Sequence, residues 1–180
     1  MSGGNGKPPL FYLKPGEMRI ADRPGIVTTV LGSCVSITMY NSRLKVGAIC
    51  HGMLPRWVEG RHGGGKCDER FRYVDYSIRY MVEAFRSFGI APRETEVKLF
   101  GGADMFSSDD NDKRYTSVGR QNIMTALEVT EEEGLVVRKK DIGGTRGRKL
   151  HFYLHTGAVF LKRLKPSEDS EVIRIQSEAG

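Results

Sequence analysis

The chain has 180 residues, 39% hydrophobic and 28% charged, which fits one globular domain with a sizeable core. Its net charge of +6 is a modest excess that suits an acidic protein partner, but no basic run is interleaved with aromatics and no helix-turn-helix signature occurs, so a nucleic-acid partner is not expected. Cysteines 34, 50 and 67 are odd in number and loosely spaced, against a disulfide framework, and the longest uncharged run, 24 to 42, is too rich in Thr and Ser to read as a membrane span.

Residues 1 to 15 are rich in Gly and Pro and are expected to be poorly ordered, with the folded domain over 16 to 165 and a charged tail over 166 to 180. The opening MSGGNGKPPL has no apolar core, so a cytoplasmic protein is expected. Four runs rich in Val, Ile and Thr then read as strands, at 17–22, 25–31, 34–40 and 44–52. The segment WVEGRHGGGKCDER, 57 to 70, lacks any period and reads as a loop. Val74, Ile78, Met81, Val82 and Phe85 recur at helical spacing before Gly89, predicting a helix over 73–88. TEVKLF reads as a strand entering a glycine turn. A second helix is predicted over 117–133, with Ser117 as its cap and Val118, Ile123, Ala126 and Leu127 as its apolar positions. LVVRKKDI reads as a further strand, and KLHFYLHTGAVFLKRL as a hairpin bending at Thr156-Gly157. The fold class is α/β in the α+β sense: one domain with mixed or antiparallel sheets packed with two main helices.

The chemistry centres on IVTTVLGSCVSITMYNSRLKVGAICHGMLP, 26 to 55. A cysteine in an apolar strand is by default a packing residue, and Cys50 reads that way. Cys34 differs because of register. If the strands flanking 41–44 form a hairpin pairing Tyr40 with Lys45, then Cys34 falls opposite His51 on the same face, with Cβ atoms about 4.5–5.5 Å apart. A thiol needs such a base to attack as thiolate. The Gly32-Ser33 bend supplies backbone N–H groups to a developing oxyanion. A zinc site from Cys50, His51, His62 and Cys67 is the rival reading, but the spacing matches no usual ligand pattern, and neighbours in a strand point to opposite faces.

LGSC followed 17 residues later by His and then MLP, with RYVD (72–75), KLFGGADMF (98–106), VGRQN (118–122), DIGGTRGRKLHF (141–152) and TGAVFLK (156–162), resembles the CheD family of chemoreceptor glutamine deamidases, over residues 18 to 164. The resemblance implies a Cys-His-Thr enzyme that converts particular receptor glutamines to glutamates without metal or organic cofactor. It makes Cys34 the nucleophile, His51 the base and, on family spacing, Thr28 the third member. A simple two-residue hairpin at Gly32-Ser33 would instead put Thr29 on the Cys34 face, so the choice between the two threonines stays open. The partners implied are the cytoplasmic helices of methyl-accepting receptors and a CheC-type phosphatase, with no nucleic acid and no membrane insertion. A non-catalytic adaptor on the same surfaces is the alternative. Gly101-Gly102 and Gly143-Gly144 read as sites of close backbone packing.

Overall fold

Which side of each strand faces which partner follows from the period-2 alternation along three adjacent segments. In the computed structural model, which describes residues 6–59, 67–104 and 116–165, β3 (Ile26–Leu31), β4 (Val35–Asn41) and β5 (Val46–Cys50) are buried along most of their length. Val35, Ile37 and Met39 of β4, with Val46, Ala48 and Cys50 of β5, join one core cluster. Ile49 of β5 joins another, which also holds Val27 and Phe152. A strand buried on both faces must lie in a middle layer.

That layer is a five-stranded sheet in the order β2-β5-β4-β6-β7, with β2 at Met18–Ala21, β6 at Glu96–Gly101 and β7 at Val137–Ile142. Its neighbours pair antiparallel except β6 and β7, which run parallel and are joined through a helix, as a parallel connection requires. The second sheet has the order β1-β3-β8-β9, with β1 at Leu10–Tyr12, β8 at Arg148–Tyr153 and β9 at Val159–Arg163. The two sheets face each other across Val27, Ile49, Phe152 and Leu154 at one end and Leu31, Phe100 and Leu150 at the other. Helices α1 (Val74–Ser87) and α2 (Val118–Glu132) cover the far face of the five-stranded sheet. One α+β domain with mixed sheets and two main helices results, as expected from the sequence.

Three expectations are corrected. Residues 10–13 are ordered: β1 pairs parallel with β3 and Leu13 is buried, because this short apolar stretch extends the sheet edge. The segment 25–40 is not a hairpin, since β3 and β4 lie in different sheets and the Gly32-Ser33 bend passes between them. The buried face of α2 is Gly119, Asn122, Thr125, Ala126, Val129 and Thr130, while Val118 is exposed. Ile123 and Leu127 pack partly buried against the same core as expected, and small and polar residues complete a face that the apolar period marks only in part. The middle of the expected 57–70 loop, the Met105 end of KLFGGADMF and the tail 166–180 lie outside the described residues; Cys67–Arg72 forms a 3-10 helix.

Candidate active site

His51 follows β5 directly, on the face that looks toward the four-stranded sheet. Its backbone bonds on the side away from β4: its N–H donates to the Glu17 carbonyl at 2.9 Å, and its carbonyl accepts from Gly16 N–H at 2.8 Å. The ring is buried, 2% exposed. On β3 the core-facing positions are Val27, Thr29 and Leu31, so Thr29 points at the imidazole, and its Oγ1 lies 2.8 Å from His51 Nδ1. The same hydroxyl donates to the Leu13 carbonyl at 2.8 Å.

These contacts fix where the ring carries its proton. The Leu13 carbonyl can only accept, so it takes the single hydroxyl hydrogen of Thr29. Thr29 Oγ1 is left to accept from Nδ1–H. A neutral ring protonated at Nδ1 has its lone pair on Nε2. Nε2 is the buried ring atom without a hydrogen-bond partner among the described residues. Burial pushes the His51 pKa down to about 4, against smaller upward effects of the Leu13 carbonyl and Glu17, so the imidazole is an unprotonated base at neutral pH.

Thr28 is placed elsewhere. One residue along the strand, it alternates to the outer face of β3, where its cross-strand neighbours are Tyr12 and His151. Its hydroxyl is buried and has no partner among the described residues. The threonine that holds the histidine is therefore Thr29, as its side of the strand requires.

Cys34 is half-buried at the entry to β4 and packs beside Leu31, Phe100 and Leu150. The hairpin register differs from the sequence expectation by two. Asn41 pairs with Val46 and Thr38 with Ile49, and an isolated bridge joins Val35 to Gly52. The loop takes in Lys45, whose φ of 57° turns the chain, while Asn41 Oδ1 accepts from Leu44 N–H at 2.8 Å. A slip of two keeps every side chain on its face. Cys34 and His51 thus share a face as diagonal neighbours, a relation that places Cα atoms about 7–8 Å apart. They make no direct hydrogen bond. Burial raises the Cys34 pKa, partly offset by its own backbone N–H, so the resting pair is a neutral thiol beside a neutral imidazole.

The backbone around Cys34 is clamped from behind. Ala103 N–H donates to the Gly32 carbonyl at 2.9 Å and Gly102 N–H to the Cys34 carbonyl at 2.8 Å. Asn122 Nδ2, fully buried on α2, donates to the Ser33 carbonyl at 3.1 Å and the Met53 carbonyl at 3.0 Å. Gly101 makes the approach possible: its φ is +104° and a Cβ there would lie 2.2 Å from the Cys34 carbonyl oxygen. The glycines at 143 and 144 act differently. Nothing stands near their Cβ positions, and both have φ of +70°, so they serve a turn. The N–H groups of Ser33 and Cys34 have no backbone partner among the described residues.

Cys50 points into the helix-side core and burial pushes its thiol up to about 11, a packing cysteine. Cys50 and His51 therefore diverge, which removes them as joint ligands of one metal; His62 lies outside the described residues. Among the described residues no cluster of His, Cys, Asp and Glu is arranged to hold a metal ion. Asn122 and the Leu13 carbonyl were not found as site groups from sequence. The only signal for Asn122 was its place in the quoted VGRQN motif.

Residues 53–163 match the family model described as CheD chemotactic sensory transduction, a span that starts just after His51. A Geobacter sulfurreducens protein named "Probable chemoreceptor glutamine deamidase CheD 2" is 49% identical over 168 residues, covering 93% of this chain and 98% of that one. The Thermotoga maritima protein named "Chemoreceptor glutamine deamidase CheD" is 30% identical over 161 residues, covering 89% and 96%. With the family model matched over more than half of its length and these relatives matched almost end to end, the chain belongs to the CheD family.

Proposed function

We propose that the protein is a cysteine-dependent glutamine deamidase acting on chemoreceptors, as its relatives are named, with Cys34 as nucleophile, His51 as base and Thr29 as the group that orients His51. The observation that carries this reading is the buried imidazole held at Nδ1 by Thr29, its Nε2 lone pair unpartnered on the face it shares with Cys34. A packing histidine gains nothing from an unsatisfied ring nitrogen, whereas a base requires one.

The reaction follows from that geometry. As a receptor glutamine approaches, Cys34 swings toward Nε2 and gives up its proton as sulfur attacks the amide Cδ. The oxyanion is received by the N–H groups of Ser33 and Cys34. The imidazolium returns the proton to the nitrogen, the C–N bond breaks and ammonia leaves, giving a thioester. Water enters and gives a proton to His51 Nε2, hydroxide attack forms the carboxylic acid and expels the Cys34 thiolate, the imidazolium returns its proton to sulfur, and the acid ionises to glutamate. The transfers from sulfur, to nitrogen, from water and back to sulfur all pass through His51.

Receptor helices on the cytoplasmic side are the proposed substrate, and the protein works beside them from the cytoplasm. No helix among the described residues is long and apolar enough to cross a membrane. A CheC-type phosphatase as second partner rests on the family resemblance alone. The test is mass spectrometry of a receptor cytoplasmic fragment after incubation. Wild type should convert amide to acid at particular glutamines, and Cys34→Ala and His51→Ala should each reduce the rate to background. Turnover that survives Cys34→Ala would sink the mechanism.

A further inference from the structure

The side chain of Asn122 reaches the site from the opposite side of the sheet, and its place is unusual for a polar residue. It is fully buried on α2, and one NH2 group serves two carbonyls on two different segments. Those segments carry the nucleophile and the base: Ser33 immediately precedes Cys34, and Met53 lies two residues beyond His51. Its Oδ1 is buried without a partner among the described residues. An amide that leaves its own acceptor unsatisfied while holding two carbonyls acts through its donors.

A trans peptide is planar, with C=O and N–H pointing in opposite directions. The Ser33 carbonyl and the Cys34 N–H belong to one such unit. Drawing the carbonyl toward α2 aims the N–H away from α2. The Gly32 carbonyl, held by Ala103 N–H, aims the Ser33 N–H in the same way. From this geometry we infer that Asn122 is a positioning residue: through the 33–34 peptide plane it presets one donor of the oxyanion site and, through Met53, ties the histidine segment to it. This rests on the deamidase reading above. Asn122 touches neither substrate nor reacting atoms, and its effect passes entirely through the backbone.

Asn122→Asp keeps the shape and removes the amide donors. With a receptor fragment as substrate, kcat should fall on the order of 10²-fold, the cost of one lost oxyanion donor, while KM stays near wild type. Alkylation of Cys34 by iodoacetamide passes through no oxyanion, so its rate should hold. A kcat equal to wild type overturns the inference. A parallel loss of kcat and alkylation rate also overturns it, because it would show a collapsed site instead of a misaimed donor. Should Asn122→Asp fail to fold, Asn122→Ser gives the same two readings. A wild type without turnover overturns the deamidase reading and this inference with it, whereas wild-type turnover alongside fully active Asn122 variants overturns this inference alone.

Discussion

His51, the proposed base, is buried without becoming charged at neutral pH. Because the folded pKa of His51 lies near 4, it is deprotonated over the whole neutral range, and kcat/KM should fall as pH drops through about 4, well below the 6.5 of a free imidazole. The Cys34 thiol is shifted the other way, so its alkylation should quicken only in the alkaline range; a plateau near neutrality would show a preformed thiolate and contradict the neutral pair. The two threonines give a sharper test. Thr29→Val keeps the shape but removes the hydroxyl that holds Nδ1, and losing that hydrogen bond, worth about 1 kcal/mol or more, should lower kcat/KM by roughly 10-fold. Thr28→Val, on the outer face, should deamidate at the wild-type rate, and steady-state kinetics of the pair decides between them. At this scale the shared face of Cys34 and His51 was legible from spacing. The choice of threonine was not, because family spacing counts residues along the chain while a strand's two faces depend on parity. Leu13 was illegible too, since any residue offers a carbonyl and only tertiary folding says which one arrives.

Elements were read well wherever a period ran uninterrupted. Each expected strand or helix with a clear pattern is present, and Ser117 caps α2 by accepting from Arg120 N–H. The β4–β5 register was two residues off because the loop holds Lys45 in a left-handed conformation that composition does not announce. Parity survived, so the shared face was right and the directly opposed pairing was wrong. The small and polar members of the α2 face were missed because Gly119 and Asn122 are buried for close approach and hydrogen bonding, which hydropathy cannot see. Close approach also governs the entry to β4. Gly101→Ala would drive a methyl group into the Cys34 carbonyl in a disfavoured conformation, at a cost on the order of 3 kcal/mol. A lower denaturation midpoint, with a loss of activity at temperatures where the variant is still folded, is the expected outcome.

Across the whole molecule, the proposed site lies where the two sheets meet. Thr29 comes from the four-stranded sheet, while Cys34 and His51 belong to chain entering and leaving the five-stranded one. The class of the fold was visible in the alternation of strand and helix runs. The partition of consecutive strands β3 and β4 between two sheets was not, because a two-residue bend is compatible with a hairpin as well as with a crossing. Burial of His51 also links the chemistry to global stability. The unfolded chain binds a proton on this ring below about 6.5, the folded one only below about 4. Between those values unfolding takes up a proton, so stability falls as pH falls, by up to roughly 3 kcal/mol for this one group. Denaturant midpoints measured across that window should drop accordingly, and His51→Gln should flatten the slope.

The bond from Thr29 to the Leu13 carbonyl has a consequence for how such an enzyme can be switched off. That carbonyl follows β1, three residues at the rim of a sheet. If β1 were pulled away, the Thr29 hydroxyl would be free to donate to Nδ1, and the ring proton would move to Nε2, turning the base into a donor facing the thiol. In the proposed mechanism, a molecule that wedges between β1 and β3 would silence the base by tautomer control and leave Cys34 unmodified.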